Sequence, residues 1–137
     1  ISPIRNIKML IVKIGNKNVI YTKGSPEKIL KLCSKISINN KIYPLTTKRK
    51  NEILNINDKL ASSALRVLGF AYKENSTKEK DLIFVGLQGM IDPPRKEVRD
   101  SIELCKKAGI KVIMITGDHK LTAVAIANQL GITGKNC

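Results

Sequence analysis

The chain has 137 residues, 42% of them hydrophobic and 26% charged, with no Trp. That length suffices for one ordinary domain or two small pieces. It excludes a membrane helix, since no run approaches the roughly 18 consecutive apolar residues such a span needs. The opening ISPIRNIK lacks both an initiator Met and a signal-peptide layout, so a piece excised from a larger protein is expected.

Lys and Arg number 25 against 11 Asp and Glu, a formal net charge of +14. Such a surplus suits either an anionic partner, such as nucleic acid, anionic lipid or polyphosphate, or ordinary solvated faces. The lysines are dispersed, with little aromatic interleaving, which favours solvated faces and gives no expectation of a nucleic-acid partner. Cys33, Cys105 and Cys137 have none of the close pair spacings of a zinc or redox site. Cys33 and Cys105 fall on apolar helix stripes and read as buried, reduced thiols of a cytosolic protein.

In chain order, residues 8–14 and 18–23 are β-rich runs around Gly15-Asn16-Lys17, a hairpin signal. Lys23-Gly24-Ser25-Pro26-Glu27 then turns the chain into a helix. Ser25 can cap it, Pro26 suits its first position and Glu27 faces its positive end. Ile29, Leu32 and Cys33 would share one face. Residues 36–38 and 41–43 flank Asn39-Asn40 as a second small hairpin. A longer helix over about 47–63 carries Ile53, Ile56 and Leu60 at spacings of three and four. Residues 65–73 (LRVLGFAYK) and 82–87 (LIFVGL) read as strands around a polar loop.

Asp92-Pro93-Pro94-Arg95 is the clearest boundary, because two prolines cannot continue a strand ladder. A helix over 95–108, with Val98, Ile102 and Cys105 inward, stops at Gly109. Residues 110–115 (IKVIMI) read as a parallel strand buried on both faces. A second helix spans 121–130 and stops at Gly131. Thr116-Gly117-Asp118 lies between them, where a buried parallel strand would meet a helix N-terminus. That is where doubly wound sheets bind ligands, and helix N-termini favour phosphate. Gly117 admits a close backbone approach, Thr116 offers a hydroxyl, and Asp118 can accept from a ribose hydroxyl or bear on a nearby cation. A plain turn with Asp118 as N-cap is the alternative from the tripeptide alone. His119 has no acidic residues arranged around it as a metal set and reads as a loop or helix-start residue.

Three ordered stretches, YTKGSPEKIL at 21–30, GMIDPPRKEV at 89–98 and VIMITGDHKLTAVAIANQLGI at 112–132, resemble the cytoplasmic portion of P-type cation-transporting ATPases. LCSKISINNKIYPLT and ALRVLGFAYK are similar to its calcium-moving branch, in bacterial or archaeal form. The resemblance implies an α/β fold. Residues 1–91 would be the later part of a nucleotide-binding domain, an α+β lobe with an antiparallel sheet and flanking helices. Residues 92–137 would begin the phosphorylation domain, a partial haloacid-dehalogenase-like parallel α/β segment, with Asp92 and Arg95 organising the hinge. It further implies ATP and Mg2+ as ligands. Its partners would be the remaining parts of a transporter: membrane helices, an actuator domain and the rest of the phosphorylation domain. The location would be the cytoplasmic portion of an integral membrane protein that moves a cation by way of an aspartyl-phosphate.

Residue by residue, the resemblance implies that Lys23 lies in the ATP pocket and that Gly24 keeps its floor open. Arg66 would reach the nucleotide phosphates as a planar fork. Thr116 and Gly117 would bind the phosphoryl group, with Asp118 beside them; Thr116 and Asp118 are the candidate catalytic positions. The expectation is that Lys23 and Arg66 share one ATP-sized cleft. The chain departs from the pattern in lacking the Asp-Lys-Thr-Gly that carries the phosphorylated aspartate, so it is expected to bind nucleotide without turnover. Ile1 stands at the position of an adenine-stacking Phe and Pro3 at that of a nucleotide-contacting Arg, which implies weakened affinity. A stand-alone phosphatase of the haloacid dehalogenase class, which would need an Asp-x-Asp motif absent here, and a basic nucleic-acid-binding module are the alternatives.

Overall fold

The computed structural model describes residues 7–91 and 93–132. The readings at Ile1, Pro3, Asp92 and Cys137 therefore lie outside the described residues. The chain divides into two compact units, Ile1–Asn57 with Val67–Gln88, and Asp58–Arg66 with Gly89–Cys137.

The first unit is built on a sheet of order β1-β2-β5-β6-β3-β4. Its strands are β1 (Ile7–Ile14), β2 (Lys17–Gly24), β3 (Cys33–Ile38), β4 (Lys41–Pro44), β5 (Arg66–Glu74) and β6 (Leu82–Met90). β1 and β2 form the expected hairpin, with Ile14 opposite Lys17. Gly15 turns it at φ +59°, the left-handed value a two-residue loop asks of its first position. In the β3–β4 hairpin Asn39 and Asn40 take φ +49° and +61°, so both residues adopt the conformation asparagine tolerates best after glycine. β2 pairs antiparallel with β5, whereas β3 pairs parallel with β6. The all-antiparallel lobe expected from the sequence therefore carries a parallel pair. Its β3 is reached through α1 (Pro26–Leu32) and not through a hairpin.

The helix after β2 ends a residue earlier than the apolar spacing suggests. Cys33 is extended, at φ −96° and ψ 136°, and opens β3. Pro26 takes the first helical position as expected, while the Ser25 side chain makes no capping bond. Instead the Ser25 carbonyl accepts from the Lys28 and Ile29 amides at 3.0 Å. The core gathers Ile29 and Leu30 of α1, Cys33 and Ile36 of β3, Ala71, Leu82 and Phe84. Ile53 and Leu54 of α2 (Thr47–Ser62) pack against it, whereas Ile56 is 51% exposed. The stripe of α2 is thus turned by one position from the expected Ile53–Ile56–Leu60 line. Asn57 takes the buried place and donates from Nδ2 to Glu27 Oε1 at 3.3 Å.

The second unit holds α3 (Glu97–Lys107) and α4 (Lys120–Leu130). Gly109 and Gly131 take φ +73° and +71°, the left-handed stops expected of them. Residues 110–115 do not form the predicted strand. Ile113 is 70% and Ile115 93% exposed, so the run is not buried on either face. A parallel strand is specified by neighbours on both sides, and no ladder among the described residues includes this run. The α/β class holds across the chain, carried by the sheet and helices of the first unit.

Candidate functional site

On one face of the first unit's sheet, a pocket of about 630 Å³ opens over β1, β2, β5 and β6. By strand alternation Tyr21 and Lys23 of β2 are exposed while Ile20 and Thr22 are buried, and Thr22 and Ala71 also border the pocket. The pairing then aligns two rows. Lys8, Lys23 and Phe70 stand side by side, and Leu10, Tyr21 and Tyr72 form the next row. All six line the pocket, with Val85 of β6 beyond them. Lys23 is therefore at a concave, aromatic surface.

Gly24 is placed differently from its expected role. It is buried at the end of β2, between Ile7 and Gly69, and does not line the pocket. A glycine with close neighbours here is Gly69. A Cβ there would lie 3.3 Å from Pro26 Cα and 3.4 Å from Ile29 Cβ, so α1 can approach the sheet only because position 69 is bare. Lys8 and Phe70 are not singled out from sequence, where Tyr21 and Tyr72 read as no aromatic series for base stacking. The signal that would have found them is register: once the Gly15-Asn16 turn is fixed, Lys8 must face Lys23.

Arg66 belongs to the second unit, where its Nε lies 2.9 Å from Asp118 Oδ1. Arg66, expected to share a cleft with Lys23, is thus ion-paired with Asp118 and is not among the residues lining the pocket at Lys23. The Arg66 side chain is 59% exposed and that of Asp118 23% exposed, so the pair is accessible to solvent. Its backbone neighbour is anchored as well, since the Thr122 hydroxyl, buried in α4, donates to the Leu65 carbonyl at 2.9 Å. Thr122 was not singled out from sequence, where a threonine inside a helix reads as filler.

Thr116 and Gly117 are exposed. Thr116 Oγ1 accepts from the Asp118 amide at 3.1 Å, which closes a tight side-chain turn. His119, and not Asp118, stands at the α4 N-cap, where Nδ1 accepts from the Leu121 amide at 3.3 Å. This leaves the Asp118 carboxylate to Arg66. At Gly117 no atom lies within 4 Å of a built Cβ and φ is not in the left-handed region, so neither packing nor backbone geometry calls for glycine there.

Against known proteins, residues 2–97 match the family model described as P-type ATPase, cytoplasmic domain N. The chain belongs to the P-type ATPases. It is 54% identical over 123 residues to calcium-transporting ATPase 1 of Bacillus cereus, covering 85% of this chain and 14% of that protein. It is 44% identical over 148 residues to a calcium-transporting ATPase of Plasmodium falciparum, covering 96% and 12%. It is also 41% identical over 136 residues to a sodium/potassium-transporting ATPase alpha subunit of Tetronarce californica, covering 88% and 13%. The chain thus spans 12–14% of the length of these relatives. Among the described residues no helix is long and apolar enough to cross a membrane.

Proposed function

We propose that this chain is the ATP-binding portion of a cation-transporting P-type ATPase, with calcium as the cation. Residues 1–91 act as the later part of the nucleotide-binding domain and residues 92–137 as the beginning of the phosphorylation domain. The observation that carries the reading is Lys23 at an aromatic pocket of about 630 Å³, inside the stretch that matches the family's domain N. That volume suits a nucleotide, since small-molecule sites run from about 300 to 1,000 Å³. Calcium is supported by the names of the relatives from Bacillus cereus and Plasmodium falciparum.

In this reading Lys23 binds the nucleotide in the pocket as a compact cation on a long stem. Arg66, Thr116, Gly117 and Asp118 serve the phosphoryl end in the whole transporter. The bare, unstrained Gly117 supports that role, because an open backbone there leaves room for an approaching oxyanion. The Arg66–Asp118 pair keeps the guanidinium oriented and solvent-accessible until a phosphate competes for it. ATP supplies the phosphoryl group that a P-type ATPase transfers to an aspartate. Among the described residues no cluster of three or more His, Cys, Asp or Glu side chains could hold a metal. Mg2+ would arrive on the nucleotide phosphates, as that ion commonly does. Cation transport, the membrane helices, the actuator domain and the phosphorylated aspartate belong to the whole protein, and this chain binds ATP without turning it over.

Calorimetric titration of the 137-residue chain with ATP tests the reading. Binding in the micromolar to millimolar range is expected. Lys23→Ala should weaken it about fivefold or more, the worth of about 1 kcal/mol of charge contact. Unchanged affinity in Lys23→Ala, or no heat with the parent chain, would refute the assignment.

A further inference from the structure

We propose that the outer edge of β1 is a self-association surface. Two copies of this chain pair their β1 strands antiparallel, about a two-fold axis at Leu10, and close into a dimer. The pairing needs no nucleotide and stands independently of the ATP reading.

Among the described residues β1 and β4 are the two outermost strands of the sheet. Proteins blunt such edges with proline, bulges or short strands. β4 is blunted. It has four residues and ends in Pro44, whose carbonyl accepts from Arg49 Nη1 at 3.3 Å. β1 has none of these devices. It runs for eight residues, contains no proline and pairs with β2 in unbroken register. Met9 is 45%, Leu10 62%, Ile11 43% and Ile14 55% exposed, so apolar side chains stand open on both faces of this edge.

The backbone sets how a second strand would join. The two-residue turn at Gly15-Asn16 makes Ile14 and Lys17 a hydrogen-bonded pair. Counting back along the ladder, Val12, Leu10 and Lys8 bond to β2. Ile7, Met9, Ile11 and Lys13 aim their N–H and C=O groups outward. A two-fold axis perpendicular to the sheet keeps each face continuous across the joint. With that axis at Leu10, Ile7 and Met9 of one copy stand opposite Lys13 and Ile11 of the other, and the reverse. Every outward N–H and C=O then has a partner. The same register sets Leu10 against its own copy and Lys8 against Val12, so no lysine stands opposite a lysine, an arrangement that would weaken the ladder. The joint uses the same edge in both copies and β4 is closed by Pro44, so pairing stops at two. Each copy carries a formal charge of +14, so the dimer tightens as salt screens the repulsion.

Sedimentation velocity of the 137-residue chain, from about 10 µM to about 1 mM without nucleotide, tests the proposal. A joint of one strand pair falls at the small end of protein interfaces, so a micromolar-to-millimolar dimer is expected. Its fraction should be larger at 300 mM than at 20 mM NaCl. Ile11→Pro removes an outward N–H and spares the β1–β2 bonds, so it is expected to weaken the dimer about tenfold or more while the fold persists. Ile42→Pro, at the outward-facing position of β4, is expected to leave the dimer unchanged. Matched thermal melts verify both folds. Should Ile11→Pro melt early, crosslinking decides alone. In a Cys105→Ser, Cys137→Ser background, Leu10→Cys is expected to form a disulfide-linked dimer with oxidised glutathione, because the two Leu10 Cα atoms would lie about 4.5 Å apart. Ile14→Cys, also exposed but four positions from the axis, is expected to give no such crosslink. A chain that stays monomeric throughout the range overturns the proposal. So does an undiminished dimer in a folded Ile11→Pro, equal crosslinking through Leu10→Cys and Ile14→Cys, or growth beyond two copies.

Discussion

Cys33 shows how one residue's surroundings rewrite its chemistry. Burial pushes its thiol up from the ordinary 9.0 to about 12, with the Lys50 charge pulling weakly the other way. The thiol is therefore kept protonated and unreactive, since only the thiolate is nucleophilic. The linkage sign follows from proton counts. Between these two values the folded chain holds a proton that the unfolded chain has released, so stability is fully present below about pH 9 and falls as pH rises toward 12. Urea melts from pH 8 upward should show this alkaline decline in the parent chain and a shallower one in Cys33→Ala. Parallel slopes in the two proteins would rule Cys33 out as the group responsible. The same residue illustrates a limit of periodicity: an apolar position at helical spacing proved to be the first residue of a strand, because β6 offered it a parallel partner at Leu82.

At the scale of elements, α1 lies close against the sheet. The helix sits close because Gly69 of β5 presents no side chain to Pro26 and Ile29. Gly69→Val should therefore force α1 outward and destabilise the chain by about 1–3 kcal/mol, the usual range for overpacking. Gly86→Ala, where a built Cβ meets nothing within 4 Å, should stay within about 0.5 kcal/mol of the parent. Chemical denaturation of the two variants side by side gives the comparison, and equal losses would show that the approach of α1 is not what Gly69 permits. Turns and caps were legible in the sequence because glycine and asparagine act through their own backbone preferences, as at Gly15, Asn39, Asn40, Gly109 and Gly131. The strand at residues 110–115 was misread because branched apolar residues supply propensity only, and a ladder needs a partner that propensity does not provide.

For the molecule as a whole, a net charge of +14 is dispersed along the sequence. Self-repulsion of that size destabilises a compact state, and salt screens it over a Debye length of about 10 Å at 0.1 M. The melting temperature should therefore rise between 20 mM and 300 mM NaCl, by a few degrees in a differential scanning measurement. A falling or flat dependence would mean that the charges are already balanced by local pairs. The same charge gives the pocket a favourable field for an anionic ligand, and ATP affinity should decline over that salt range as the field is screened.

Family membership was readable from short stretches alone, because KGSPE, DPPR and TGD combine residues with strong backbone and chemical identities in a fixed order. Hairpins and helix stops followed from local backbone rules. What only the tertiary structure decided was which side chains meet: Lys8 with Lys23, Tyr21 with Tyr72, Arg66 with Asp118, and Thr122 with the Leu65 carbonyl. Those pairings depend on strand register and on contacts between residues far apart in the chain. A propensity speaks for a residue and its neighbours, whereas a contact is a property of two distant segments brought together by burial.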